Sequence, residues 1–188
     1  MTTAAPPAGP RLKTRYRDEI VPAMRKKFGY PNPMAVPRIE KITVSMGVGK
    51  ATENAKAMDA AVADLAQITG QKPIVTKSRH AISQFRLRQG QAVGCKVTLR
   101  GARMYEFLDR LVSVVIPRIR DFRGLKRNAF DGRGNYNMGL SDQLVFPEIQ
   151  LDKAEHSQGM NITITIRNGT DESSLELLRL FGMPFRAN

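Results

Sequence analysis

Three segments of this 188-residue chain alternate apolar and polar residues without a break, and a period of two is typical of half-buried β-strands. Their apolar members are Ile42, Val44, Met46 and Val48; Val93, Cys95, Val97 and Leu99; and Met160, Ile162, Ile164 and Ile166. Shorter strands are predicted at about 73–76 and 143–149. If these five strands pair, one face of the sheet is apolar and the other displays hydroxyl, amide and cationic groups.

Four segments with apolar residues at helical spacing predict helices at about 12–27, 54–69, 102–115 and 171–181. Pro22 is expected to kink or split the first helix, and Pro117 to end the third. The sequence therefore predicts an α+β fold, in which a five-stranded, mainly antiparallel sheet has helices packed on one face and a polar, basic surface on the other.

Composition limits the domain organisation and the compartment. Residues 1–11, rich in Ala, Pro and Thr, predict a disordered tail, and residues 12–188 are predicted to form a single domain. The one cysteine, Cys95, excludes an internal disulfide and fits the reducing cytosol; on an apolar strand face, it is expected to be a buried, inert thiol. No apolar run approaches the roughly 20 residues that cross a bilayer, so we expect a cytoplasmic protein with no membrane partner.

Positive charge is concentrated in one long stretch. From Leu65 to Tyr105 the chain has 41 residues without Asp or Glu and eight Lys or Arg, within a net charge of +13. Such a field favours a polyanionic partner, because cationic contacts to nucleic-acid phosphates release condensed counterions. The polar strand faces alone fit a solvated sheet equally well, but the charge favours RNA, whose phosphates and 2′-hydroxyls suit Thr, Asn, Lys and Arg.

Residues 76–90, between two predicted strands, form a basic finger. Functionally it is expected to contact RNA, with Phe85 able to stack; alternatively it is a short helix pinned by Ile82, Phe85 and Leu87. For Phe85 alone, a role in anchoring the loop is at least as well supported as contact with RNA. A second loop, at 118–139, combines basic residues, glycines and aromatic residues, and either nucleic-acid or protein contact remains open for it.

Catalytic, cofactor and metal motifs are not found. The segment GVGK at 47–50 lacks the earlier glycine and the Ser or Thr of a phosphate loop, and GRGNYN at 132–137 ends in Asn137 rather than a small residue. His80 and His156 have no Cys or carboxylate partner at metal or nucleophile spacing. His80 is expected to be a loop contact and His156 a surface residue, and neither a cofactor nor an enzymatic activity is predicted.

Six segments, in the same order along the chain, resemble one family, the bacterial-type large ribosomal subunit protein five. They are LAQITGQKPIVTKSRHA (65–81), FRLRQGQAVGCKVTLRGARMYEFLDRL (85–111), PRIRDFRG (117–124), FDGRGNYNMG (130–139), FPEI (146–149) and LLRLFGMPF (177–185). The resemblance extends over nearly the whole chain from about Leu12. It implies a non-catalytic 5S rRNA-binding protein of the central protuberance.

The resemblance also implies partners and site residues. Partners would be 5S rRNA, 23S rRNA, P-site tRNA, a neighbouring 5S-binding ribosomal protein and a small-subunit head protein that forms an intersubunit bridge. The expected rRNA-binding residues are Arg15, Lys41, Thr43, Ser45, Gln71, Lys96, Thr98, Arg100, Asn161 and Thr163, with Ser45 standing where the family usually has Asn. The expected tRNA-contacting residues in the finger are Lys77, Arg79, His80, Phe85, Arg86 and Arg88.

Two other classes of function compete with a structural ribosomal role. An RNA-modifying enzyme would need a cofactor site or an acid–base pair, and the sequence offers neither. A free-standing nucleic-acid chaperone would exchange readily, whereas a ribosomal protein co-sediments stably with large subunits.

Overall fold

A five-stranded sheet organises the chain in the computed structural model, which describes residues 9–52, 55–149 and 157–186. The strands are β1 (Arg38–Gly47), β2 (Ile74–Lys77), β3 (Ala92–Leu99), β4 (Tyr136–Leu140) and β5 (Met160–Arg167). Their order is β2-β3-β1-β5-β4, and β3 runs antiparallel to both β1 and β2. An antiparallel sheet combined with helices confirms the predicted α+β class.

The helices match the predicted segments closely. They are α1 (Arg11–Arg15), α2 (Val21–Phe28), α3 (Ala55–Thr69), α4 (Gly101–Arg110), α5 (Ile116–Arg118) and α6 (Asp171–Leu180). Helix α2 ends at Gly29, whose φ of 70° is the left-handed conformation that stops a helix at low cost in glycine. The first and third predicted helices are each interrupted by a five-residue π-helical turn, at Tyr16–Ile20 and at Leu111–Val115.

Both π-helical turns end two residues before a proline, Pro22 or Pro117. A proline inside a regular α-helix lacks its N–H donor, and its ring clashes with the carbonyl four residues earlier. In each turn the residue before the proline donates to a carbonyl five residues back, Val21 to Tyr16 and Ile116 to Leu111. The wider turn lets the helix continue past the proline. The kink or split expected at Pro22 is therefore a π-helical turn. The third helix, expected to end at Pro117, ends one residue later, at Arg118.

The fifth strand lies in a different segment from the one predicted. Residues 143–149 are not a strand: a 3₁₀ turn spans Gln143–Val145, where the Asp142 carboxylate accepts from the Leu144 N–H at 2.9 Å. Gln143 is buried and accepts a hydrogen bond from the Gln158 N–H instead of joining a ladder. The strand is β4, from Tyr136 to Leu140, at the end of the segment predicted as the second loop.

Some predictions fall outside the described residues. Residues 1–8 of the predicted tail, 1–11, lie outside the described residues. Arg11, the last residue of that tail, is the first residue of α1, and the next residue, Leu12, is buried. His156 also lies outside the described residues. The prediction of a single domain stays a prediction.

Two compact units account for the described residues. Unit I contains 9–41, 100–136 and 164–186; unit II contains 42–52, 55–99, 137–149 and 157–163. In unit II, α3 packs against β3, and the Cys95 Sγ lies 3.8 Å from the Ala61 carbonyl oxygen. The side chains of Ile42, Leu65 and Leu99 are fully buried there, and each contributes about 1.5–3 kcal/mol by leaving water.

An aromatic cluster organises unit I. The ring of Tyr16 stacks on Phe181 with centroids 6.0 Å apart and planes 8° apart, and Tyr105 meets the same ring at 6.3 Å. The Tyr16 hydroxyl donates to the Pro37 carbonyl at 2.9 Å. Burial raises the pKa of Tyr16 to about 12, so its phenol stays protonated and can keep donating.

The start of α6 supplies a local stability test. The Thr170 side chain accepts from the Ser173 N–H at 3.4 Å, and the Ser173 hydroxyl accepts from the Thr170 N–H at 2.9 Å, which is a capping box. We expect Thr170→Ala to lower the free energy of unfolding by about 1 kcal/mol, measured by urea denaturation. Thr14→Ala, on an exposed helical position, is the matched control and should leave stability nearly unchanged. Equal losses in both variants would contradict the capping role.

Cys95 supplies a second test, because it is the only cysteine in the chain. It is 1% exposed, and burial raises the pKa of its thiol to about 11. Since the thiolate is the reactive form, we expect almost no reaction with a disulfide reagent at pH 8 until the protein unfolds. The denatured chain, which should react at once and with one equivalent, is the control. Fast reaction of the native protein would mean that this strand face is open to solvent.

Candidate nucleic-acid interface

The polar face of β1 and β3 brings four of the predicted rRNA-binding residues into two adjacent pairs. The register places Thr43 opposite Thr98 and Ser45 opposite Lys96. Lys96 and Thr98 are exposed, and Thr43 and Ser45 are half-buried. Directly opposite residues on one face have Cβ atoms about 4.5–5.5 Å apart, so three hydroxyls and one ammonium group form a compact patch of donors.

Gln71 borders this patch. It follows Gly70, whose φ of 64° ends α3 in the left-handed conformation, and the Gln71 Nε2 donates to the Thr98 carbonyl at 3.4 Å. The hydroxyl of Thr69 also accepts from the Gln71 N–H at 3.4 Å. The first bond ties the Gln71 side chain to β3, the second holds its backbone at the end of α3, and the residue remains half-exposed.

The polar face of β5 carries Asn161 and Thr163. The Thr163 hydroxyl donates to the Asn137 Oδ1 at 2.7 Å, across to β4. Gly139 leaves the Asn161 amide uncovered: a Cβ at Gly139 would lie 3.5 Å from the Asn161 Oδ1. Asn137 is therefore part of this polar surface, although sequence reasoning missed it. The alternation of Tyr136, Met138 and Leu140 with Asn137 and Gly139 is the signal that identifies it.

Three predicted rRNA-binding residues belong to unit I, and two of them already have acidic partners. Arg15 lies 3.0 Å from Glu19 on the next turn, and Arg100 lies 3.3 Å from Glu40. Both pairs are exposed, so each is worth only about 0–1 kcal/mol and leaves the guanidinium accessible to a phosphate. Lys41 is half-buried on β1.

Residues on β2 extend the polar face of unit II. Ile74 is opposite Lys96, and Thr76 is opposite Gly94, so both share the face that carries the hydroxyl pairs. Ile74 is nevertheless 66% exposed, an apolar side chain among polar ones. At Gly94 a Cβ would lie 2.5 Å from the Met46 carbonyl oxygen, so only glycine permits this close approach of β1 and β3.

The predicted finger is an ordered hairpin between β2 and β3. Ser78 and Gly90 are hydrogen-bonded at 2.9 Å, and Ser78 also donates its N–H to the Gln91 carbonyl at 2.8 Å. Nearer the tip, Ile82 and Leu87 exchange two backbone hydrogen bonds of 3.0 and 3.1 Å. The alternative prediction for this segment is a short helix, and the only helical part of the hairpin that the structure describes is one 3₁₀ turn, Ser83–Phe85.

The finger displays its predicted contact residues outward. All six are exposed: Lys77, Arg79, His80, Phe85, Arg86 and Arg88. Phe85 is 67% exposed, so most of its ring is open to solvent. Arg86 adopts a φ of 53°, uncommon for a residue with a Cβ, which closes the tip between Phe85 and Leu87. The tip thus presents one aromatic ring among guanidinium groups.

The second predicted loop is held by internal hydrogen bonds. The Asp131 carboxylate accepts from the N–H groups of Arg133 and Asn135 and from the Asn135 amide at 2.6–3.0 Å, and the bond from the Asn135 side chain is the main reason that the pKa of Asp131 is lowered. A Cβ at Gly134, where φ is 80°, would lie 2.7 Å from the Gly169 carbonyl oxygen. Residues 131–135 of this segment are therefore held by their own contacts, and nucleic-acid or protein contact of the loop stays a prediction.

The described ranges contain no group of three or more His, Cys, Asp or Glu placed to hold a metal ion. Within the same ranges, none of the helices has the length and apolar character required to cross a bilayer.

Comparison with known proteins identifies the family. Residues 32–88 match the family model described as ribosomal protein L5, and residues 92–185 match the model that describes the C-terminus of the same ribosomal family. The chain is 58% identical over 176 residues to the large ribosomal subunit protein uL5 of Solibacter usitatus, covering 94% of this chain and 98% of the relative. It is 56% identical, with the same coverage of both chains, to the uL5 proteins of Carboxydothermus hydrogenoformans and Acidovorax sp. strain JS42.

These relatives are structural proteins of the ribosome, a family without enzymatic activity, so the prediction of a non-catalytic protein is confirmed. The matches also confirm the resemblance that the sequence motifs indicated. The chain therefore belongs to the ribosomal protein L5 family.

Proposed function

We propose that this chain is a structural constituent of the large ribosomal subunit that binds 5S rRNA and helps attach it in the central protuberance. The observation that carries the proposal is the paired arrangement of Thr43 with Thr98 and of Ser45 with Lys96 on the exposed face of β1 and β3. Hydroxyls at this spacing can hydrogen-bond ribose 2′-hydroxyls and phosphates, and the ammonium group supplies charge.

The wider rRNA-binding surface includes the residues bordering this patch. Gln71, Asn161 and Thr163 add amide and hydroxyl groups, and Lys41, Arg15 and Arg100 add positive charge. The Ser45 side chain, in place of the usual Asn, is shorter and reaches less far toward the RNA. Binding to 23S rRNA as well would join the 5S particle to the rest of the subunit.

The finger is proposed to contact the P-site tRNA. Its hairpin hydrogen bonds support a fixed projection, and its exposed Arg86, Arg88 and Phe85 combine phosphate-binding groups with a ring able to stack on a base. The remaining proposed partners are a neighbouring 5S-binding ribosomal protein and a head protein of the small subunit, with which the chain forms an intersubunit bridge. All of these contacts belong to the cytoplasmic ribosome.

The sheet-face site is tested by 5S rRNA affinity as a function of salt. We expect Thr98→Ala to weaken binding about fivefold at matched salt, because one hydrogen bond is lost. Lys96→Ala should weaken binding and also reduce the slope of log K against log salt by about 1, because one phosphate contact is lost. With about four phosphate contacts, the wild-type slope should be roughly −3 to −4.

Thr14→Ala, on the exposed side of α1, is the control for the hydroxyl and should leave affinity unchanged. Unchanged affinity of Thr98→Ala would remove the sheet-face site. A flat wild-type salt response would remove the electrostatic argument altogether.

The finger is tested separately, in assembled ribosomes. We expect the double variant Arg86→Ala with Arg88→Ala to bind 5S rRNA normally but to lower tRNA occupancy of the P site severalfold, because two cationic contacts to tRNA are lost. Occupancy is measured by filter binding of labelled tRNA to purified ribosomes.

The control removes the same charge from α2, through Lys26→Ala with Lys27→Ala, and should leave P-site occupancy at the wild-type level. Weakened 5S binding with normal tRNA occupancy in the finger variant would reverse the assignment of the two surfaces.

A further inference from the structure

Unit I contains a cleft of about 540 Å³ that none of the proposed contacts uses. Its apolar wall includes Tyr16 and Val21 from the first helical segment and Met34 and Val36 from the connection to β1. Three cations, Lys13, Arg17 and Arg38, line the same cleft, and no acidic residue does. A volume of several hundred cubic ångströms with an apolar wall and a few convergent polar groups is typical of a site for a small ligand or a single building block of a larger one.

Several basic residues of the first helical segment, residues 11–28, have acidic partners. Arg11 is paired with Asp109 at 2.6 Å, Arg15 with Glu19 at 3.0 Å and Lys27 with Glu176 at 2.9 Å. Within the described part of the chain, none of the three cleft cations makes an ion pair. Like charges gathered around one cavity repel each other, and an anionic group bound among them would relieve that repulsion.

One apolar residue of the cleft, Met34, is presented to solvent, whereas Val36 is buried. Met34 is 76% exposed, the most exposed large apolar residue in the described ranges. Its backbone is held from both sides: the Asn32 side chain accepts from the Met34 N–H at 2.8 Å, and the Asn168 amide donates to the Met34 carbonyl at 3.2 Å. A fixed backbone with a flexible, polarisable thioether at its end suits contact with a flat apolar surface.

We propose that this cleft binds one unstacked nucleotide of a ribosomal RNA, with its base against Met34 and its flanking phosphates near Lys13, Arg17 and Arg38. A nucleotide joins a flat base to negatively charged phosphates, which matches a cleft lined by both apolar residues and cations. The inference rests on the proposed function insofar as the chain must lie on ribosomal RNA. An acidic peptide would satisfy the charges, but it supplies a flat ring only where it carries an aromatic residue, whereas every nucleotide supplies one.

The occupant is identified by crosslinking in assembled large subunits. Full-length protein with Met34→p-benzoylphenylalanine is incorporated and irradiated, and the adduct is mapped. Because Met34 is exposed, the replacement leaves the core intact. We expect an adduct with one short RNA stretch, and the mapped position distinguishes 5S from 23S rRNA. Val114→p-benzoylphenylalanine, on another exposed apolar position of unit I, is the matched control and should give little RNA adduct.

The cationic part of the site is tested in the same crosslinking protein. Adding Arg17→Gln with Arg38→Gln should lower the RNA adduct at position 34 about tenfold, because two phosphate contacts are lost. Adding Lys27→Gln with Arg11→Gln, which removes the same charge from paired residues, should change the yield less than about twofold.

The outcomes separate the two proposals. An adduct with a protein, or an RNA yield no higher than that at position 114, overturns the nucleotide site. Equal yields in the two charge variants overturn the role of the cleft cations. Failure of the wild-type chain to sediment with large subunits would overturn the proposed function instead.

Discussion

The register between β1 and β3 is the constraint on which the rest of unit II depends. Because strand side chains alternate, a slip of β1 by one residue against β3 would move Val44 to the solvent face and Ser45 into the core. The same pairing therefore fixes the buried packing against α3 and the spacing of the polar patch. Gly94 contributes to this register because a side chain at its position would collide with the Met46 carbonyl oxygen on β1.

Periodic segments could be predicted from sequence because burial repeats with the period of the element. Strands β1, β3 and β5 and helices α3 and α6 follow this rule. Strand β4 escapes prediction because Asn137 and Gly139 make it resemble the turn-rich segment before it. Residues 143–149 resemble a strand in sequence, but a 3₁₀ turn capped by Asp142 forms there instead. The π-turns before Pro22 and Pro117 depend on hydrogen-bond register, which composition does not encode.

The sequence predicts which residues lie on the polar face of the sheet, but it does not predict which cations of the candidate surface lie beside an acidic residue. Sequence counts treat Arg15, Arg17 and Arg100 alike, although the fold pairs the first and last with Glu19 and Glu40 and leaves Arg17 facing a cleft. Which cation has an acidic neighbour depends on helix phase and strand pairing. The alternation along β1, β3 and β5 predicts the face on which a side chain lies, and the structure shows which cations lie beside an acidic group.

Both units are assembled from separated pieces of the chain, and this has a consequence for biosynthesis. Unit II can be completed once residue 163 has left the exit tunnel, but unit I needs the segment after it. Tyr16 stacks on Phe181, which is translated much later. The helical segment that carries Tyr16 must therefore wait until residue 181 has been synthesised before its aromatic partner exists, and such distant pairings slow folding. During that interval its basic surface is exposed to whatever polyanion is nearby.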